Sequence, residues 1–132
     1  LRGPEACSLD DVGFLAYPPL AGGILTGKYA GTPPDNARLN LFPGFMPRYL
    51  QSRAKEAVDA YCAVADKYDL TPAQLALAWC YSRKHVTSTI IGATSLDQLR
   101  ENIEAYEIEL PEECLEDVIA SDKNFRDPSK TS

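Results

Sequence analysis

The sequence predicts an α/β fold in which parallel strands alternate with helices. Two short strand-like runs, at 12–17 and 88–91, each end at a turn that contains glycine. Helical patterns of apolar residues lie between the two runs and again after the second one. Strands joined by helical segments are typical of parallel sheets, in which helices cover both faces. We therefore expect the strand at 12–17 to be buried on both faces and to have neighbours on both edges, within a larger sheet or barrel.

A long helix is predicted over 49–68, and the segment before it is interpreted as a loop. Proline and glycine recur between 21 and 48, where they interrupt any regular pattern. A loop of that length is usually functional or is ordered by a ligand. From residue 49 onward, apolar residues recur at the three- and four-residue spacing of a buried helix face. These residues are Ala54, Ala57, Val58, Tyr61 and Ala65.

Three further helices have recognisable start signals. Thr71, followed by a proline and then by Gln74, predicts a helix that begins with a capping box. Ser95, followed three residues later by Gln98, predicts the same start for the helix after the second strand. A last helix is predicted to begin at Pro111.

Composition excludes several classes of function. The chain has 132 residues, 45% of them hydrophobic, and a formal net charge of −6, which fits one modest domain with a hydrophobic core. The acidity argues against a nucleic-acid partner, because phosphate backbones are bound by basic surfaces. No apolar run approaches the roughly 20 residues of a membrane-spanning helix, so we expect no direct membrane insertion.

The four cysteines are widely spaced and show no paired metal-ligand pattern, so no metal site is predicted. Cys62 and Cys80 lie in helical apolar patterns and are interpreted as buried thiols rather than disulfide partners. Because free thiols are typical of reducing conditions, we expect the cytoplasm or another reducing soluble compartment.

Each predicted strand ends in a turn that suits an anion. Gly92 follows the strand at 88–91, and the helix capped by Ser95 opens after it. Gly22 and Gly23 follow the strand at 12–17. Glycine lets a ligand approach the backbone closely, and the N-terminus of a helix offers free N–H groups to a phosphate. Two such turns in one chain predict a nucleotide cofactor.

Together, these motifs resemble the C-terminal part of the aldo-keto reductase superfamily. The resemblance is to its NADP-dependent branch, which includes potassium channel β subunits and Tas-like reductases. It runs from about residue 12 to the end of the last helix. The motifs that carry it are Tyr17-Pro18-Pro19-Leu20-Ala21, Gly27-Lys28-Tyr29, Arg38, Gly92-Ala93-Thr94-Ser95, Gln98-Leu99 and Glu101-Asn102.

The resemblance implies the C-terminal portion of a (β/α)8 TIM barrel, a fold of about 250 residues. This chain would supply the last two strands, at 12–17 and 88–91, with their helices. We expect a lead-in over 1–11, a partial reductase domain over 12–121 and a polar tail over 122–132. The family's catalytic tyrosine, lysine, aspartate and histidine lie on earlier strands, so no catalytic residue is assigned in this chain.

The resemblance also implies NADP(H) as the cofactor, with one group of contacts after the first strand. Leu20 and Ala21 match the turn that wraps the pyrophosphate. Lys28 matches a lysine near the phosphates, where a compact cation suits a dianion. Arg38 matches an arginine that packs over the adenosine side. This chain departs from the family at Pro18, which replaces a serine and so removes a hydroxyl and a backbone N–H.

A second group of implied contacts follows the second strand. Gly92, Thr94 and Gln98 match positions near the ribose 2′-phosphate. Glu101 and Asn102 match the pair that reads the edge of the adenine ring. Gln98, Glu101 and Asn102 share one helix face, since they lie three and four residues apart. Outside this pattern, Glu101 and Asn102 would be interpreted as residues of a solvated helix face.

Three functions remain open on the sequence. The first is an NADP(H)-binding segment of a reductase that acts on aldehydes or ketones, with its acid–base groups on the other strands. The alternative is an inactive, reductase-derived structural or accessory subunit of a larger assembly. The third is a cofactor sensor, which needs tight NADPH binding without reduction of any carbonyl. The first needs a small-molecule carbonyl substrate in a complete barrel, and the first two need a protein partner or the remainder of the barrel.

Overall fold

The computed structural model describes residues 3–29, 32, 35, 37–42, 44 and 52–125. It shows a mixed α/β arrangement with two parallel strands, as the sequence predicts. In chain order the elements are α1 (Gly3–Leu9), β1 (Leu15–Ala16), a 3-10 helix (Ala21–Thr26), α2 (Arg38–Leu41), α3 (Ser52–Lys67), α4 (Pro72–Tyr81), β2 (Ser88–Thr89), α5 (Leu96–Glu104), a second 3-10 helix (Ala105–Glu107) and α6 (Glu112–Asn124).

The two strands pair in parallel over a short length. Leu15 lies opposite Ser88, and Ala16 lies opposite Thr89. The ladder continues beyond them through two hydrogen bonds, from the N–H of Thr87 to the carbonyl of Phe14 (2.9 Å) and from the N–H of Ile90 to the carbonyl of Ala16 (3.0 Å). Both strands are shorter than the predicted 12–17 and 88–91. After β1 the next residues include two prolines, which have no N–H to donate to a ladder.

The first strand is exposed in the described chain, whereas its burial on both faces is predicted within a larger sheet or barrel. Val12, Leu15 and Tyr17 are 59%, 57% and 67% exposed. Burial of a parallel strand requires helices on both faces and strands on both edges. Among the described residues the sheet has two strands, so these side chains remain uncovered.

The core is centred on helix α4 instead. Five of its ten residues are buried, and they lie on more than one face of the helix: Ala73, Leu75, Ala76, Leu77 and Ala78. One end of the core joins α4 to α3 and α6 through Ala65, Leu75, Cys114 and Val118. A helix that is apolar all round is typical of a central position, and α4 packs against α3, α5, β2 and both 3-10 helices.

The predicted helices are confirmed, and so is the capping box of α4, which Thr71 forms with Gln74. Helix α3 buries Ala54, Ala57, Val58 and Ala65 of the predicted stripe, while residues 49–51 lie outside the described ranges. At the start of α5, the Ser95 hydroxyl accepts the N–H of Gln98 as predicted, but the Gln98 side chain turns to Thr94, so the second half of the predicted capping box is absent.

The prediction of a loop throughout 21–48 is wrong at two places. Ala21–Thr26 forms 3-10 turns that are interrupted by a kink at Gly22 and Gly23, and the short helix α2 occupies Arg38–Leu41. Glycine and proline predict turns in a sequence, and here Gly22 and Gly23 adopt left-handed conformations within the segment Ala21–Thr26. In the flanking regions, α1 lies within the predicted lead-in over 1–11, and α6 continues past residue 121 to Asn124. The tail residues 126–132 lie outside the described ranges.

All four cysteines are free thiols, as predicted for Cys62 and Cys80. Those two are partly buried, and Cys114 is fully buried. Burial raises the pKa of all three thiols. A raised pKa keeps a cysteine in its less reactive protonated form.

Candidate functional site

A groove of about 740 Å³ opens at the carboxyl ends of the two strands. Its walls come from the turn after β1, the segment through Lys28, helix α2, and the turn that leads from β2 into α5. Seven of the nine predicted site residues line it: Leu20, Lys28, Arg38, Gly92, Thr94, Gln98 and Asn102. The parallel pairing of β1 and β2 brings these residues together, because it places both strand ends at the same edge.

The wall after β1 is shaped by backbone conformation. Ala21, Gly22 and Gly23 have φ values of 47°, 71° and 98°, a region that costs a side-chain-bearing residue about 1–2 kcal/mol. The N–H of Ala21 donates to the carbonyl of Pro18 (3.1 Å), and the N–H of Gly23 donates to the carbonyl of Leu20 (2.8 Å). Ala21 therefore lies within this turn and does not line the groove, whereas Leu20 and Gly22 on either side of it do.

Lys28 lies directly over Gly23. A Cβ atom on Gly23 would stand 3.1 Å from both Cε and Nζ of Lys28. The ammonium group also lies 5.3 Å from the centre of the Tyr29 ring, within the range of a cation–π contact. The Thr26 hydroxyl donates to the carbonyl of Gly23 at 2.7 Å and so braces the same turn. This packing places a compact positive charge in the wall of the groove.

Arg38 is the first residue of α2 and brings a second cation to the groove. Ala37, which precedes it, is only 3% exposed and anchors the helix in the fold. Leu41 and Phe42 follow on the same short segment, line the groove and remain 57% and 61% exposed. This wall therefore offers a guanidinium group beside an apolar surface that is open to a planar ligand.

The wall after β2 is held by side-chain amides from α5. The Gln98 Oε1 atom accepts both the N–H of Thr94 (2.9 Å) and the Thr94 hydroxyl (3.1 Å). One helical turn later, the Asn102 amide donates to the carbonyl of Gly92 at 3.3 Å. Asn102 is 3% exposed, which excludes its interpretation as a residue of a solvated face.

Glu101 points to a different neighbour. It is partly buried and does not line the groove, although the flanking Gln98 and Asn102 do. Its Oε1 atom accepts the Thr71 hydroxyl at 2.6 Å, at the N-terminus of α4. The resemblance implies one role for the adjacent pair, whereas the structure gives Glu101 and Asn102 separate contacts. Ligand contacts of all nine residues stay predictions.

Sequence reasoning missed several residues that shape this site. Leu41, Phe42 and Leu77 line the groove, and no local signal distinguishes them from ordinary apolar residues. Thr71 was recognised as a helix cap, but its contact with Glu101 joins residues 30 positions apart. Such a contact has no signature in a single sequence.

A titratable cluster lies away from the groove, where α3 meets α6. Asp117 accepts hydrogen bonds from the Lys67 ammonium (2.7 Å) and from the Tyr68 hydroxyl (2.8 Å). These bonds, with Lys67 first, lower the pKa of Asp117, and the same carboxylate raises the pKa of Lys67. Burial raises the pKa of the helical Tyr61 and Tyr81. His85 is exposed in the turn before β2, at the opposite end of the strand from the groove.

Two searches of the described residues exclude further features there. In the described ranges, no helix is long and apolar enough to cross a membrane. Over the same part of the chain, His, Cys, Asp and Glu form no group of three or more that could hold a metal ion.

Comparison with known proteins identifies close relatives of this sequence. Protein tas of Escherichia coli (strain K12) is 40% identical over 126 residues, which is 95% of this chain and 36% of the relative. An aldo-keto reductase of Babesia bovis is 46% identical over 104 residues, covering 75% of this chain and 36% of the relative. A probable voltage-gated potassium channel subunit beta of Arabidopsis thaliana is 38% identical over 100 residues, covering 74% and 30%.

The chain thus spans about a third of the length of the curated relatives it matches. The sequence model of the Aldo/keto reductase family matches residues 4–123, which is most of the chain. The two parallel strands and their helices are therefore part of the barrel domain of this family. This chain belongs to the aldo/keto reductase family.

Proposed function

We propose that this chain binds NADP(H) within an oxidoreductase that reduces aldehydes or ketones. Members of the family typically use NAD(P)H. The observation that carries the proposal is the groove at the strand ends, where seven of the nine implied cofactor-binding residues meet.

The charge and shape of the groove support a phosphorylated nucleotide. Lys28 and Arg38 bring two cations to one groove in a chain whose formal net charge is −6. A point charge and a planar guanidinium group are complementary ways of binding phosphate. Leu41 and Phe42 add apolar surface beside Arg38, which suits the flat rings of a nucleotide.

The turn after β2 suits the 2′-phosphate end of such a nucleotide. Gly92 is exposed, and nothing lies within 4 Å of where a Cβ atom would stand, so a ligand can approach the backbone. Helix α5 begins four residues later, and its first N–H groups suit a negative charge. We assign the 2′-phosphate side of the cofactor to this turn and the pyrophosphate to the wall after β1.

We further propose that β1 and β2, with their helices, are the last two strands of a (β/α)8 barrel. Residues 12–121 would form this part of the domain, between a lead-in over 1–11 and a tail over 122–132. The hydride donor would be held here, and the acid–base groups would come from the other strands of the barrel. The exposed Val12, Leu15 and Tyr17 support this assignment, because neighbouring strands and helices would cover them.

A second function is an accessory subunit without turnover. The relative from Arabidopsis thaliana bears the name of a probable voltage-gated potassium channel subunit beta. Its 38% identity to this chain makes an assembly with a partner protein the alternative to a free reductase.

Calorimetric titration with NADPH and NADH tests cofactor binding. We expect NADPH to bind more tightly than NADH, and we expect Lys28→Ala and Arg38→Ala each to weaken NADPH binding by about tenfold, as for a lost charge-assisted contact. Lys84→Ala is the matched control, since Lys84 is exposed in the turn before β2. Wild-type protein that binds neither nucleotide would refute the proposal.

Oxidation of NADPH by a panel of aldehydes and ketones then separates the two functions, provided that it is measured on the complete barrel, because the acid–base groups would lie on its other strands. Turnover that depends on the carbonyl compound supports the reductase. Tight NADPH binding without turnover across the panel supports the accessory subunit.

A further inference from the structure

Helix α4 contacts the chain segments that form both walls of the groove. Its residue Leu77 is fully buried and itself lines the groove. At the start of the helix, Thr71 contacts α5, and Pro72 packs against the turn that precedes Lys28. One helix is therefore connected to the wall after β1 on one side and to the wall after β2 on the other.

The connection to the wall after β1 is a packing contact at Gly27. A Cβ atom on Gly27 would stand 3.5 Å from Cγ of Pro72 and 3.4 Å from Sγ of Cys62 on α3. Gly27 has a φ of 76°, and its N–H donates to the carbonyl of Ile24 at 3.2 Å. Because Lys28 follows directly, α4 and α3 together support the backbone from which this lysine reaches the groove.

The connection to the wall after β2 consists of two hydroxyl groups, one at each end of α4. Thr71 Oγ1 donates to Glu101 Oε1 at 2.6 Å. The Tyr81 hydroxyl donates to the carbonyl of Asn102 at 3.3 Å. The Asn102 amide donates in turn to the carbonyl of Gly92. The two hydroxyl groups therefore fix the position of α5 on α4 and, through Asn102, the position of the turn after β2.

A ligand that contacts both walls is sensitive to the distance between them. The covalent structure of a dinucleotide limits the distance between its pyrophosphate and its 2′-phosphate. If the walls move relative to one another, a smaller fraction of the protein has the spacing that the ligand needs, and the apparent Kd rises by the same factor. A ligand that contacts a single wall is not affected in this way.

We propose that α4 sets the distance between the two walls, and that Thr71 and Tyr81 are positioning residues for a nucleotide that spans the groove. Neither of these residues lines the groove. This inference rests on the proposed nucleotide function. It adds two residues that act through α5, without a contact of their own with the ligand.

The test compares a ligand that spans the groove with two ligands that contact one wall each. NADPH spans the groove, inorganic pyrophosphate is the probe for the wall after β1, and adenosine 2′-monophosphate is the probe for the wall after β2. Calorimetric titration of the purified protein measures each affinity. We expect Thr71→Val and Tyr81→Phe each to weaken NADPH binding by about threefold, and the double variant by about tenfold, because each substitution removes one hydrogen bond. The affinities for both single-wall probes are expected to change by less than about twofold.

Three further variants separate positioning from stability. Thr71→Ser keeps the hydroxyl and is expected to bind NADPH as the wild type does. Gln74→Ala removes one arm of the capping box and leaves both hydroxyl groups, so it is expected to lower the melting temperature and to keep the NADPH affinity. Tyr106→Phe is the matched control for Tyr81→Phe, because Tyr106 is 69% exposed and contacts Tyr81 through its ring. It is expected to leave all three affinities unchanged.

Each contrary result has its own meaning. Unchanged NADPH affinity in the double variant overturns the proposal. An equal loss of affinity for NADPH and for either single-wall probe also overturns it, because the damage then lies within one wall. A loss in Gln74→Ala as large as that in Thr71→Val assigns the effect to fraying of α4 and overturns it too. Wild-type protein that binds neither NADPH nor the probes refutes the proposed function itself, and the positioning role with it.

Discussion

The two walls of the groove are held in place by different interactions. After β1, the wall depends on backbone conformation, with successive left-handed residues and a lysine packed onto Gly23. After β2, the wall depends on side-chain hydrogen bonds, with Gln98 holding Thr94 and Asn102 holding Gly92. Both walls lie at the same edge of one parallel strand pair.

This difference determines which changes each wall tolerates. The wall after β1 is sensitive to an added Cβ atom, because a side chain at Gly23 meets both an unfavourable φ and the end of Lys28. The wall after β2 is open around Gly92 and is sensitive instead to loss of an amide. Substitutions that respect this distinction can test each wall separately.

The largest effect is expected from Gly23→Ala, which attacks the wall after β1. Its φ of 98° penalises a Cβ atom by about 1–2 kcal/mol of unfolding free energy, and the new methyl group displaces Lys28. We expect the variant to be less stable in urea and to bind NADPH at least about tenfold more weakly.

Gly44→Ala is the matched control for this substitution. Gly44 has a φ of 89°, and nothing lies within 4 Å of its added Cβ atom. A similar loss of stability with unchanged NADPH affinity is expected. Equal affinities for wild type and Gly23→Ala would show that the position of Lys28 is unimportant.

Asn102→Ala is expected to have the next largest effect and tests the wall after β2. The residue is 3% exposed and donates to the carbonyl of Gly92. Loss of this hydrogen bond is expected to lower the free energy of unfolding by about 0.5–1.5 kcal/mol. Denaturation in urea measures the change. A loss no larger than that of an exposed alanine substitution would contradict the role given to this amide.

Gln98→Glu sharpens the comparison with a smaller effect. A carboxylate at this position still accepts both groups of Thr94, and the side chain is exposed, so stability is expected to change by no more than about 0.5 kcal/mol. The added negative charge repels the 2′-phosphate of NADPH. NADH has no 2′-phosphate, so its binding is not opposed in this way. Titration with the two nucleotides is expected to show weaker binding of NADPH alone; equal weakening of both would place the 2′-phosphate elsewhere.

The contact between Asp117 and Lys67 lies outside both walls of the groove, so its loss is a control for effects on stability alone. The pKa of Asp117 is lowered in the folded state, mainly by Lys67, so its stabilising effect is present above the ordinary carboxyl pKa and is lost as pH falls through the folded value. The pKa of Lys67 is raised, so its share is lost only as pH rises through its folded value. Thermal melting of Asp117→Asn against pH is expected to show a small loss at neutral pH that vanishes in acid, with NADPH affinity unchanged.

Local patterns predicted the helices because helix starts depend on nearby residues. The capping box at Thr71 and the cap at Ser95 involve contacts three residues apart, and such contacts can be inferred directly from sequence. The stripe on α3 was predicted for the same reason, since its spacing follows the turn of a single helix. The glycine-containing turns after each strand also predicted where the groove opens.

Contacts across long separations were beyond such reasoning. Helix α2 was missed because its short segment depends on burial of Ala37 in the fold rather than on a local signal. The exposure of Leu15 and Tyr17 could not be inferred from their apolar run, because burial depends on which elements surround a strand. The contact between Thr71 and Glu101 likewise needs α4 and α5 side by side.

By itself, the sequence determined the α/β class, the helix starts and the two strand-end turns. These features depend on short-range spacing, capping and the conformational freedom of glycine. The resemblance to the family indicated seven of the residues that line the groove. Only the tertiary structure decided that Lys28 packs on Gly23, that Asn102 is buried beneath Gly92 and that Glu101 turns to Thr71. Those outcomes depend on parallel pairing of β1 with β2 and on the packing of α5 against α4, which place distant residues within hydrogen-bonding range.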